Sequence, residues 1–232
     1  MTNKTKIEWC DFTWNPITGC GPISEGCQNC YAAGIAKRFW GDRKFSDIQF
    51  HHDRVDNPKF PTKPSKIFVC SMSDLFHEKV LDVWLNQVLL EIIGHPKHTF
   101  MILTKRPEIM RDKIRGEVSN MWLGVTVENQ EQADKRIPIL LQIPAAKRFV
   151  SVEPMLGAVD LNKDYMNGTF WGDKLHWVIC GGETGRNKRE MDWRWSRSLR
   201  DQCKAVGIPF FFKQDGNGNK KLDGKLHREF PI

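Results

Sequence analysis

Short apolar runs alternate with longer amphipathic stretches along almost the whole chain, and that rhythm limits the folds open to it. The runs are residues 67–71 (IFVCS), 99–104 (TFMILT), 121–127 (MWLGVTV), 148–152 (RFVSV), 176–180 (HWVIC) and 208–212 (IPFFF). Each is β-branched or aromatic and apolar on both faces, as strands of a sheet covered on both sides must be. Between them, residues 80–93, 107–115, 130–142 and 193–206 carry helical patterning. Pro107 suits a first helical turn, and Gly207-Ile208-Pro209 ends the last helix. An earlier strand is expected near 12–17 and a helix at 31–39. Together these predict an α/β fold of about six or seven β-α units, its parallel sheet open or curled into a partial or full barrel. No repeat, low-complexity segment or linker divides residues 1–232. A single domain is therefore expected, with a polar, irregular insertion at about 41–66. In such folds ligands gather at the C-terminal ends of the strands.

The first strand leads into Cys20-Gly-Pro-Ile-Ser-Glu-Gly-Cys27-Gln-Asn-Cys30. The loop's glycines and Pro22 let the backbone fold tightly enough for three thiolates to converge. The chain has 7 cysteines, an odd number, which argues against a disulfide framework. Cubane iron–sulfur clusters are held by thiolates, with a CxxC pair as a usual component. Three cysteines leave one iron without a protein ligand, the open position that a reactive cluster needs. A structural zinc ion takes four protein ligands, and Cys10, His51 or His52 is available as the fourth. On the residues alone, iron–sulfur and zinc both stay open.

The other strand ends are polar. Ser73 and Asp74 follow the second strand, where either also suits a helix N-cap. Lys105 and Arg106 follow the third, and adjacent cations there suit a substrate carboxylate or phosphate. Alternation puts Thr126 with Glu128, and Ser151 with Glu153, on one face of their strands. If that face points inward, the two glutamates are candidates for ribose hydroxyls or the substrate; otherwise they are salt-bridge partners of Lys105, Arg106 or Arg148. Gly181, Gly182 and Glu183 follow the sixth strand, where glycines admit close approach of a ligand. Lys213 ends the last. The stretch Trp193-Arg194-Trp195-Ser196-Arg197 either stacks on bases or packs its tryptophans on the sheet.

The formal net charge is +7, which favours an anionic partner such as a nucleotide or nucleic acid. No apolar run approaches the roughly 18 residues of a membrane helix, so no membrane partner is expected. The polar start, residues 1–8, lacks a signal-peptide pattern, and a cytoplasmic protein is expected.

Several segments in fixed order carry a resemblance: Ile7-Glu8-Trp9, Trp14-Asn15-Pro16-Ile17-Thr18-Gly19-Cys20, Ser73-Asp74-Leu75-Phe76-His77, Leu103-Thr104-Lys105-Arg106-Pro107, Gly124-Val125-Thr126-Val127-Glu128-Asn129, Ser151-Val152-Glu153-Pro154, Gly181-Gly182-Glu183-Thr184-Gly185 and Phe212-Lys213-Gln214. They resemble a phage-associated family of three-cysteine proteins, itself similar to the radical S-adenosylmethionine enzymes. The resemblance implies a partial (β/α) barrel and a [4Fe-4S] cluster on Cys20, Cys27 and Cys30 whose remaining iron chelates S-adenosylmethionine. Taken with it, the strand ends make Ser73, Asp74, Thr126, Glu128, Ser151, Glu153, Gly181, Gly182 and Glu183 candidate cofactor contacts, and Lys105, Arg106 and Lys213 candidate substrate contacts. An external electron donor would drive formation of a 5′-deoxyadenosyl radical, with a nucleotide or nucleic acid as the substrate to be modified or repaired. The host would be bacterial, and no catalytic residue is assigned. The cysteine spacing departs from the superfamily, being C-x6-C-x2-C instead of C-x3-C-x2-C, and Asn29 stands where an aromatic residue is favoured. The competing class is a zinc- or cluster-stabilised nucleic-acid-binding module. A hydrolase finds no support in Ser-His-Asp spacing or an H-E-x-x-H motif.

Overall fold

A computed structural model describes residues 2–161, 163–168 and 174–232. Among these residues, eight strands join one sheet in strict sequence order. They are β1 (Thr2–Lys4), β2 (Phe12–Trp14), β3 (Lys66–Val69), β4 (Thr99–Thr104), β5 (Met121–Thr126), β6 (Lys147–Val152), β7 (Trp177–Cys180) and β8 (Phe210–Phe212). From β2 to β8 every neighbouring pair is parallel. The crossovers carry α1 (Tyr31–Phe39), α2 (Asp82–Gly94), α3 (Pro107–Lys113), α4 (Gln130–Leu141), α5 (Lys163–Asn167) and α6 (Trp193–Val206). Parallel crossovers are right-handed, so a sheet that never reverses its order puts its helices on one side and curls with the other face inward. The edges β1 and β8 do not pair with each other, which leaves a partial barrel.

Two apolar layers follow from strand alternation. Outward residues such as Val69, Ile102, Val125, Val150, Val178 and Phe212 pack with Val88, Ile92, Ile137 and Leu199 of the helices. Inward residues Phe68, Met101, Phe149, Trp177 and Phe211 form a second cluster with Trp9 and Cys10. Trp177 is its hub, with ring centroids 5.8 Å from Phe149, 6.0 Å from Phe211 and 5.1 Å from Phe230 of the C-terminal tail. Its indole N–H donates to the Glu229 carbonyl at 2.8 Å, which ties the tail across the base of the barrel.

The parallel sheet and its helices match the expected α/β architecture. Strand β1 is an addition: its sequence, TNK, has no apolar run, and it joins by antiparallel pairing of its backbone with β2. Strand β3 stops at Val69, short of the expected 71, because Cys70 turns the chain at φ 61°. Helix α5 was not signalled by the sequence. Within residues 41–66 the regular elements are a two-residue strand, Gln49–Phe50, paired with Ile17–Thr18, and a four-residue helix, His52–Val55. At the start of α6, Trp193 and Trp195 pack against the core while Arg194 and Arg197 pair with Asp192 and Asp223. Packing on the sheet, not stacking on bases, therefore accounts for that stretch. Among the described residues, no helix is long and apolar enough to cross a membrane.

Candidate functional site

The inward polar residues at the strand ends surround a cavity of about 640 Å³, within the usual range for a small-molecule site. Trp9, Phe68 and Leu103 form its floor, above the aromatic cluster at the base of the barrel. Cys20, Cys27 and Cys30 all line one side, carried by the loop between β2 and α1. A 3-10 turn, Glu25–Cys27, and the start of α1 immediately after Cys30 bend this loop over the cavity. Among the described residues, no three His, Cys, Asp or Glu side chains are close enough to grip a single metal ion. A cubane cluster takes its thiolates on separate irons, so three cysteines of one loop are a donor set of the right kind for one.

None of the candidate fourth ligands lines this cavity. Cys10 is buried in the aromatic cluster, its thiol 3.7 Å from the Ile7 carbonyl, and burial pushes it up to about 12. His51 bonds the Thr18 hydroxyl at 2.7 Å, and His52 stacks edge-on against Phe50.

The cysteines differ electrostatically. Burial, reinforced by the Asp74 carboxylate, pushes the Cys20 thiol up to about 11 even though Arg106 opposes it. Burial also acts on Cys27, but the Lys105 ammonium and hydrogen bonds at Ile23 and Ser24 outweigh it and hold the thiol below its ordinary value.

Ser73, Asp74, Lys105, Arg106, Thr126, Ser151, Glu153, Gly182, Glu183 and Lys213 line the same cavity. Their partners redistribute the roles expected from sequence. Asp74 accepts from Thr104 Oγ1 (2.7 Å), the Phe76 amide (3.0 Å), the Lys105 amide (3.2 Å) and Arg106 Nη1 (3.1 Å), so its carboxylate is already occupied. Ser73 donates to the Ile17 carbonyl at 2.9 Å. Lys105 and Arg106, expected to hold substrate, turn towards the cysteine loop: Lys105 Nζ lies 3.7 Å from Cys27 Sγ, and Arg106 Nη1 lies 3.9 Å from Cys20 Sγ.

Glu128 does not line the cavity and is fully buried. It ion-pairs with Lys105, accepts from Arg136 Nη1 at 2.9 Å, and accepts from Ser24 Oγ at 2.6 Å. A side chain at Gly26 would collide with this carboxylate, so only glycine lets the loop settle over it. The salt-bridge reading therefore replaces ribose binding for Glu128. Burial works against the ionised form of Glu128, but Lys105, Arg136 and Ser24 together hold the carboxyl below its ordinary value.

Glu153 keeps its place in the cavity, ion-paired with Lys213. Glu183 accepts from Arg189 Nη2 (2.5 Å), the Arg189 amide (2.8 Å) and Asn29 Nδ2 (2.9 Å). Those bonds, led by Arg189, hold the Glu183 carboxyl down to about 2. Gly181 does not line the cavity. A side chain on Gly182 would come within 2.7 Å of the Gly216 amide, so its close approach is to the chain itself. Sequence reasoning missed Ser24, Asn29, Arg136 and Arg189. Arg136 lies eight residues after Glu128 on the following helix, a weak signal, and the others have no fixed spacing to read.

A family model described as "Protein of unknown function (DUF5131)" matches residues 4–231. No curated protein matches the sequence. Among solved structures, a single-site mutant of spore photoproduct lyase aligns at TM-score 0.57 and 9% identity, over 93% of this chain and 79% of that one. A double mutant of spore photoproduct lyase, with bound AdoMet and dinucleoside spore photoproduct, aligns at TM-score 0.50 and 10% identity over 90% of this chain. This chain spans 65% of the length of that structure, just under two thirds. At such identities the likeness is one of fold.

Proposed function

The chain belongs to DUF5131, a family of proteins of unknown function, and from that premise we propose that it is an iron–sulfur enzyme of the radical S-adenosylmethionine type. One observation carries the reading: three cysteines of one loop line the same cavity as the inward polar ends of several strands. The donor set suits a cubane cluster. Thiolates are its usual ligands, three leave one iron open, and the cavity beside them has room for a nucleoside-sized cofactor.

The chemistry such a pair supplies is one-electron cleavage of a sulfonium C–S bond followed by hydrogen-atom transfer from the substrate, with the electron from an external donor. The chain's part is to bind, orient and exclude water. Cys20, Cys27 and Cys30 would hold the cluster. Thr126, Ser151, Glu153, Gly182 and Glu183 would face the cofactor, and Lys213 and Glu153, paired with each other, would offer hydrogen bonds to the substrate. The net charge of +7 supports an anionic substrate, a nucleotide or nucleic acid. The dinucleoside bound by the lyase mutant of similar fold agrees with a substrate built from nucleosides.

S-adenosylmethionine added to the reduced, reconstituted protein should change its electron paramagnetic resonance spectrum, because the methionine end would occupy the open iron. Glu153→Gln should weaken cofactor binding about tenfold or more, as loss of a charge-assisted hydrogen bond of roughly 1.5–3 kcal/mol implies. An unchanged spectrum together with no heat of binding in calorimetry would remove the cofactor from this reading.

A further inference from the structure

Two consecutive cations follow β4, and both reach the cysteine loop. Lys105 runs between Cys27 Sγ, at 3.7 Å, and the buried Glu128 carboxylate. Arg106 uses its whole guanidinium: Nη1 lies 3.9 Å from Cys20 Sγ and 3.1 Å from Asp74, Nη2 donates to the Gly21 carbonyl at 3.2 Å, and Nε donates to Glu78 at 2.9 Å. Their side chains are only 17% and 7% exposed. The far ends of both pairs are fixed. Glu128 is gripped by Arg136 and by Ser24, a residue of the loop itself, while Asp74 is gripped by Thr104 and two backbone amides. A flexible surface lysine would contribute little here, but ions held this far from water keep most of their field.

We propose that Lys105 and Arg106 are positioning residues for the cysteine loop, holding it in shape without metal and making a bound cluster easier to reduce. The inference rests on the reading that Cys20, Cys27 and Cys30 hold a cluster, and it replaces the substrate-binding role expected for these cations from sequence. Its physical basis is direct. Thiolate ligands bring negative charge into a half-buried loop, and one-electron reduction by an external donor adds one more. A cation next to two of the three sulfurs offsets part of both, at Cys20 against the opposing Asp74 carboxylate, and hydrogen bonding and net charge at the sulfurs are established determinants of cluster potential. Neither contact needs the cofactor or the substrate.

The test uses the full chain with Lys105→Met and Arg106→Met, which keep an unbranched apolar stem and remove charge, beside Lys105→Arg and Arg106→Lys, which keep it. Redox titration of the reconstituted cluster, followed by electron paramagnetic resonance without S-adenosylmethionine, should show each Met variant disfavouring reduction at least tenfold, about 59 mV for one electron. The charge-keeping variants should stay within a few-fold of wild type. In metal-free protein, the amides of residues 20–30 should exchange hydrogen at least tenfold faster in both Met variants, a measurement that stands even if a Met variant loads no iron. Unchanged potential and exchange in the Met variants would overturn the proposal, as would equal shifts in the charge-keeping variants. Failure of the underlying reading looks different: wild-type protein would hold no iron at all, while the exchange measurement would still report on the loop.

Discussion

Anaerobically reconstituted wild-type protein should be brown and hold about four irons per chain, the content of one cubane cluster, and replacing Cys20, Cys27 or Cys30 by Ala should abolish both. The expected effect is nearly all-or-none, because a ligand lost from a three-thiolate site leaves two protein ligands for four metal atoms. Cys10→Ala is the control. Its thiol is sealed in the aromatic cluster away from the cavity, so iron content should be unaffected even if the core loosens slightly. Elemental analysis and visible spectra decide the matter. One zinc per chain with no iron would end the cluster reading, and a requirement for Cys10 would point to a four-ligand zinc site.

Replacing Glu128 by Ala should be the most destabilising single change at the site. The carboxylate is fully buried between Lys105 and Arg136, and removing one partner of a buried ion pair costs about 3–5 kcal/mol. Chemical denaturation measures this. The double variant Glu128→Ala/Lys105→Met should cost clearly less than the sum of its singles, since one stranded cation goes with the carboxylate. A loss below about 1 kcal/mol would mean that water takes over the carboxylate's role. The pH dependence has a fixed sign. The folded-state carboxyl titrates below its ordinary value, so its contribution is fully present above the unfolded carboxyl's pKa and is lost as pH falls through the lower, folded one.

The fold was legible because its strands are apolar on both faces and its helices sit between them at regular intervals. Strand β1 escaped because TNK joins the sheet through its backbone alone, which leaves no side-chain pattern. At the site, Ser151 and Glu153 both line the cavity as alternation expected, but of Thr126 and Glu128 only Thr126 does. Alternation could not say what lay above each pair. Glu128 is covered by Ser24, 104 residues away in sequence, while Glu153 stays open to the cavity. Lys105 and Arg106 show the same limit. Two cations at a strand end read as an anion site, and the groups they meet are the protein's own carboxylates and two of its cysteine sulfurs.

The aromatic layer around Trp177, with the tail drawn across it by Glu229 and Phe230, closes the barrel at its base. Traffic therefore passes through the doorway at the strand ends. On the proposed reading, a cofactor lodged against the cysteines would itself become part of the wall that a substrate meets in this cavity.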